Sequence, residues 1–231
     1  MNVLAVIQCR LGSKRLKKKA LLKLGKHTTL EWVIRRVKKS KQINKIVLAT
    51  SKNIGNKKLI SIAKKLKIDF FKGSEKNVFS RFYNLNKIYK PKFIVRICAD
   101  NPFIDANEID KIIKKSKLLN NNFSYVFNHI PYKKNNYIDG VGAECISAKY
   151  FTSFGNKIKK EKHKEHVTKF IWENKNIFLF KSIIAPKKFS FPRLSLDIDY
   201  KKDYIKFSKL LKNYKNKPEN YKVENLIYKL T

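Results

Sequence analysis

Three short stretches carry side chains whose types and spacing could do chemistry. The first is Gln8-Cys9-Arg10-Leu11-Gly12-Ser13-Lys14-Arg15-Leu16-Lys17-Lys18-Lys19, which combines two arginines, a serine, a glycine and several lysines. Forked guanidinium groups, a hydroxyl and closely approaching backbone N–H groups are what a polyphosphate needs around it. The spacing is neither G-x-G-x-x-G nor G-x-x-x-x-G-K-[ST], so dinucleotide and P-loop readings fail. Composition alone leaves a solvated basic loop equally open. The second stretch, Arg96–Asp105, offers Asp100 ahead of an Asn-Pro turn, with Asp105 as the N-cap of a following helix. The third is Arg193–Tyr200. If Leu194–Ile198 is a strand, Asp197 and Asp199 project to the same side. Carboxylates sharing a face repel unless a cation sits between them. Hard oxygen ligands beside a phosphate suit Mg²⁺. The competing reading of Asp199 is a helix N-cap.

These stretches need a scaffold, and the hydrophobic pattern supplies one. Val3–Ile7, Lys45–Thr50, Asp69–Phe71, Phe93–Cys98 and Phe123–Phe127 read as strands, alternating with stretches of helical period such as Leu30/Val33/Ile34/Val37 and Val78/Phe82/Leu85/Tyr89. Such βα alternation predicts an α/β fold with a mainly parallel central sheet and helices on both faces. Ligands then belong beyond the carboxyl ends of the strands, where the first two stretches fall. The second half is less regular, with strands expected near Ala143–Ile146, Ile177–Ile184 and Leu194–Ile198. Helices are expected near Ala148–Phe154, His163–Glu173, Tyr200–Leu211 and Lys222–Lys229. No Gly-, Ser- or Pro-rich linker divides the chain, so residues 1–231 read as a single domain.

Composition narrows the function classes. The 231 residues are 43% hydrophobic, enough for a real core, and no apolar run approaches the length of a membrane span. MNVLAVIQCR reads as a buried strand and not a signal peptide. Three widely spaced cysteines argue for a reduced cytoplasm and against a disulfide framework or a zinc site. The net charge of +37 invites a polyanionic partner, yet the 54 basic residues include only 7 arginines, and the lysines run from end to end. That is a chain-wide bias, and nucleic acid is disfavoured as a partner. Where lysine is the default cation, each arginine marks a need for a planar fork.

The blocks QCRLGSKRL, LEWVIRRVKKSKQINKIVLATS, KGSEKNVFSRFY, VRICADNPFID, YIDGVGAEC, EHVTKFI and LSLDIDYKKDY, in this order, resemble the spore-coat-polysaccharide (SpsF-like) cytidylyltransferases, relatives of the acylneuraminate and Kdo cytidylyltransferases. The resemblance runs almost end to end. It implies a nucleotide-diphospho-sugar transferase (Rossmann-like) fold, with a nucleotide-binding half over 1–128 and a sugar-binding, metal-completing half over 129–231. It also implies Mg²⁺-dependent transfer of CMP from CTP to an acidic or related sugar, releasing pyrophosphate for surface polysaccharide or glycan biosynthesis, in a protein whose relatives are usually dimers. It assigns Gln8, Arg10, Gly12, Ser13, Lys19, Gly73, Ser74 and Arg81 to the nucleotide. Arg10, Arg15, Lys19 and Asp100 take catalytic roles, and Asp100 with Asp197 or Asp199 holds the metal. Asn128, Asp139, Glu144 and His166 fall on the sugar side.

Four positions depart from the family pattern. Lys17 and Lys18 replace a Pro and a Gly, Cys9 replaces an Ala, and Gly142 stands where the family has an Asp, so one sugar-side carboxylate is expected to be missing. Rival readings are the use of another nucleoside triphosphate, a nucleotide-sugar-dependent glycosyltransferase, a basic RNA-binding or membrane-associated protein, and a degenerate scaffold. His163, Glu165 and His166 do not form H-E-x-x-H, so a helix surface with one substrate-facing His is preferred over zinc. Arg35 and Arg36 are expected to be solvated.

Overall fold

A computed structural model describes residues 2–13 and 15–231. The first half runs β1 (Val3–Gln8), a small hairpin of β2 (Lys23–Leu24) and β3 (His27–Thr28), α1 (Thr29–Val37), β4 (Lys45–Ser51), α2 (Lys57–Lys65), β5 (Asp69–Gly73), α3 (Val78–Tyr89), β6 (Phe93–Cys98), α4 (Ala106–Leu119) and β7 (Ser124–Phe127). The second half runs β8 (Glu144–Ser147), α5 (Lys149–Phe154), α6 (Glu161–Glu165), α7 (Lys169–Glu173), β9 (Leu179–Ser182), α8 (Lys201–Leu210) and α9 (Val223–Tyr228).

Seven strands form one sheet in the order β5-β4-β1-β6-β8-β7-β9. All neighbours are parallel except β8, which runs antiparallel to both β6 and β7. The apolar runs VLAVIQ, KIVLAT and FIVRIC are continuous because both faces of these strands are covered. Val3, Ala5 and Ile7 pack on one face with Leu30, Val33 and Ile34 of α1 and the isoleucines of α4. Leu4 and Val6 face the other way, onto Phe79, Phe82 and Leu85 of α3. The antiparallel strand has a simple cause. The chain leaves β7 at its carboxyl end, loops through residues 128–143 and re-enters from that same end. The first residue of β8, Glu144, therefore stands opposite Arg96 near the carboxyl end of β6.

A third cluster wraps the C-terminal segment around the back of α1, where Trp32 meets Phe103, Tyr214 and Tyr221. This wrapping corrects the expectation for Arg36, which is buried. Its Nε donates to the Ile104 carbonyl at 2.6 Å, and Nη1 donates to the carbonyls of Pro218 and Tyr221 at 3.1 and 2.9 Å. Arg35 is half-buried beside Glu219. Helical period shows which side of α1 meets the sheet, but not that a distant segment returns to cover its other side.

Two further expectations need correction. Leu194–Ile198 is extended but forms no strand. It makes one bridge, Asp139 to Ser195, and is clamped by Ile198 N–H donating to the Asp100 carbonyl at 2.9 Å. The single helix expected over His163–Glu173 is two short ones, α6 and α7, interrupted at His166, whose backbone is extended (φ −107°, ψ 97°).

Replacing Arg36 by Met should cost at least about 2 kcal/mol in urea unfolding, because three carbonyls lose a charged donor in a dry place. A loss of only a few tenths would mean that water reaches them.

Candidate active site

The carboxyl ends of β1 and β6 open into a cleft of about 400 Å³. Gln8 reaches it from the end of β1, Arg10, Ser13, Arg15 and Lys19 from the first loop, Asp100 from the loop after β6, Arg81 from α3, and His166 from the break between α6 and α7. Residues far apart in the chain thus meet at the place expected for a ligand in a parallel α/β sheet.

Opposite charges are interleaved here. The Lys19 ammonium donates to Asp100 Oδ2 at 2.6 Å and to Asp199 Oδ1 at 2.9 Å. Arg15 Nη1 holds the other Asp199 oxygen at 2.8 Å, and its guanidinium lies 5.3 Å from the Tyr200 ring. Burial alone would lower the Lys19 pKa, but Asp100 and Asp199 outweigh it and hold the ammonium above its ordinary value. Asp199 is therefore no helix cap: Asp203 caps α8, accepting from the Asp199 and Tyr200 N–H groups. Arg10 is held by the Glu75 carbonyl at 3.1 Å and by the Glu165 carboxylate at 3.4 Å. Arg81 is fully buried, donating to the carbonyls of Ala49 and Glu75, and burial followed by the nearby Arg10 pushes it down to about 10.

Asp139 and Asp197 stand beside this cluster. Gly140 lets their segments touch: it has φ +92°, and a Cβ there would lie 2.9 Å from the Asp197 nitrogen. Burial, then Asp197 and Asp100, raise Asp139 to about 7. Burial also raises Asp197, partly offset by the Ser195 hydroxyl bonded to it. Mg²⁺ uses one or two carboxylates and completes its shell with phosphate and water. Asp100 and Asp199, already sharing one cation, fit that requirement. Among the described residues no group of three or more His, Cys, Asp and Glu side chains could hold a metal by itself.

The remaining expected residues serve the frame. Gln8 accepts from Arg96 Nε at 3.1 Å. Ser74 Oγ accepts from the Asn77 N–H at the start of α3, Gly73 packs against the Arg81 stem, and Gly12 faces the Glu75 carboxylate. Asn128 and Glu144 correct the expectation of direct sugar contact. Asn128 is sealed in, donating to the Glu108 carbonyl and accepting from the Ala143 N–H. Glu144 is a buried hub that accepts from Arg96, from Tyr125 at 2.6 Å and from Thr168 at 2.9 Å. Burial would raise its pKa, yet Arg96 leads a set of partners that hold it down to about 2. His163 is buried against Glu173, away from His166, so the two form no metal pair and His163 is not a surface residue. Sequence reading missed Arg96 as a pillar and Glu75 and Glu165 as partners of Arg10. The scarcity of arginine and of acids was the signal that could have found them.

The departures have local causes. Gly142 has no room for a side chain, since a Cβ would fall 2.2 Å from the Asn128 carbonyl oxygen. Lys18, where the family has Gly, has φ +56°, the left-handed conformation that glycine adopts without strain.

Lys18→Gly should therefore raise the urea midpoint, or leave it unchanged, where Lys→Gly on an ordinary loop lowers it. Asp139 supplies a pH prediction. Its folded pKa of about 7 lies above the ordinary value near 4, so the folded state holds the extra proton. Stability is lost as pH rises from about 4 to about 7, and the loss is complete above that range. Thermal melts should show Asp139→Asn gaining on the parent at pH 8 and not at pH 4.

Comparison with known proteins identifies the family. The family model described as Cytidylyltransferase matches residues 4–217. A protein of Methanocaldococcus jannaschii, MJ1063, is 36% identical over 93% of this chain and 85% of its own length. The spore coat polysaccharide biosynthesis protein SpsF of Bacillus subtilis is 29% identical over 94% of this chain and 90% of its own. The solved cytidylyltransferase of Leptospira borgpetersenii superposes with a TM-score of 0.88 at 25% identity, covering 100% of this chain and 94% of that one. With the fold and nearly the whole sequence matched, this chain belongs to the cytidylyltransferase family, a group of nucleotidyltransferases.

Proposed function

We propose that this protein transfers CMP from CTP to a hydroxyl of an acidic sugar, with Mg²⁺, releasing pyrophosphate and supplying an activated sugar for surface polysaccharide or glycan synthesis. The observation that carries this reading is the meeting of Arg15, Lys19 and Asp100 in one cleft at the carboxyl ends of the strands, with Asp199 ion-paired to both cations beside it. Membership of the family and the likeness to a polysaccharide-biosynthesis protein support it.

The sugar oxygen attacks the α-phosphorus, forming a new P–O bond as the bond to the bridging oxygen of pyrophosphate breaks. Such a transfer relies on positioning and on neutralising spread-out charge. Arg10, Arg15 and Lys19 take up the negative charge of the α-phosphate and of the departing pyrophosphate. Gly12 and Ser13 let the loop approach the phosphates, while Gly73, Ser74 and the buried Arg81 brace the start of α3 beside the nucleotide. Asp100 and Asp199, with Asp197 alongside, would hold Mg²⁺, which supplies further neutralisation of the phosphate oxygens. His166 and Asp139 bound the sugar side, where Asp139 and Asp197 offer carboxylate acceptors for the hydroxyl proton. The field of a chain with net charge +37 favours an anionic sugar as well as the nucleotide. The cysteines are unpaired, and no helix among the described residues is long and apolar enough to cross a membrane. Both fit work in the cytoplasm.

Pyrophosphate release should be measured with CTP, UTP, GTP and ATP in turn, with Mg²⁺ and a panel of sugars that includes 2-keto acids. Release is expected with CTP and an acidic sugar. Asp100→Asn should lower kcat by about 10²–10³-fold while its melting temperature stays near the parent's. Preference for another nucleotide, or undiminished turnover in Asp100→Asn, would overturn the reading.

A further inference from the structure

The ammonium of Lys19 is two-pronged in a way that the polyphosphate role alone does not require. It is only 14% exposed and is bonded to both Asp100 and Asp199, the carboxylates best placed to share a divalent ion. Arg15 occupies the remaining Asp199 oxygen. A divalent cation bridging that pair would need the position the ammonium holds, and two cations so close in a poorly hydrated cleft repel strongly. A nucleoside triphosphate changes this balance. Its phosphates offer Lys19 and Arg15 a richer set of anionic oxygens, and as the two side chains turn toward them the carboxylates are uncovered.

Building on the nucleotidyl-transfer reading above, we propose that Lys19 is a resident counter-cation that keeps a divalent ion off the Asp100–Asp199 pair until a triphosphate draws the ammonium away. Metal and nucleotide then bind in obligatory support of each other, because coupling between two sites is reciprocal. The free enzyme carries no loosely held metal, and metal-free nucleotide is held weakly. The same side chain keeps the two carboxylates compensated in the empty protein.

The test is calorimetric titration of the free protein with Mn²⁺, with no nucleotide present. Lys19→Met should bind Mn²⁺ about ten-fold or more tighter than the parent. Lys17→Met removes an equal charge from the same loop but touches neither carboxylate, and should leave Mn²⁺ affinity unchanged. Adding Asp100→Asn to Lys19→Met should abolish the gain. Saturating CTP, or inorganic tripolyphosphate as a base-free probe, should tighten Mn²⁺ on the parent far more than on Lys19→Met. Lys19→Gln stands in should the Met variant fail to fold. Equal or weaker Mn²⁺ binding by the Lys19 variants, or parent affinity indifferent to tripolyphosphate, would overturn the proposal. Neither outcome depends on which nucleotide or sugar is turned over, so the panel of nucleotides tests that reading separately.

Discussion

Charge compensation in a confined space is the constraint on which the site depends. Arg10, Arg15, Lys19, Asp100 and Asp199 come from three separated parts of the chain, and each has an opposite charge within 4 Å. An ion buried without a partner is costly by several kcal/mol, whereas a satisfied network fixes its members in place. The cleft therefore holds the cations proposed to grip phosphate nearly where such a ligand would need them. Their own acids stand in for the charges to come.

The sheet supports that cluster from below. Reversal of β8 brings Glu144 opposite Arg96, and the pair links Gln8 on β1, Tyr125 on β7 and Thr168 beside the His166 break. The cleft floor and the wall bearing His166 thus share one buried ionic hub. Asn128 and Gly142 make the reversal possible: the amide bridges two backbone segments, and the glycine admits a carbonyl where any side chain would collide. A missing carboxylate at Gly142 is better understood as a packing requirement of this loop than as a lost contact.

Much of this was legible in the sequence because it is local. Continuous apolar runs marked β1, β4 and β6, helical period marked α1 to α4, and Asp105 capped α4 as its type and position indicated. Arg15, Lys19, Asp100 and Asp199 stood out by residue type in the loops beyond the expected strands. What escaped is non-local. Arg36 lies inside because the C-terminal segment returns over α1. Leu194–Ile198 has strand-like alternation, but only one residue of the 139 loop bridges to it, so it stays an extended tie. Asn128 and Glu144 have the chemistry of ligand-binding groups, and only the strand reversal reveals that the fold uses them internally. The helix over His163–Glu173 was broken by a turn that periodicity cannot register.

That broken helix has an evolutionary corollary. Five-residue helices have too few internal bonds to stand by themselves, so the segment bearing His166 takes its shape from what it leans on. The side bearing Arg10, Arg15 and Lys19 is pinned by the sheet and by ionic contacts, while the opposite bank is inexpensive to re-lay. On the proposed reading, a lineage could exchange one acceptor for another by rewriting this stretch alone, leaving the ionic cluster across the cleft untouched.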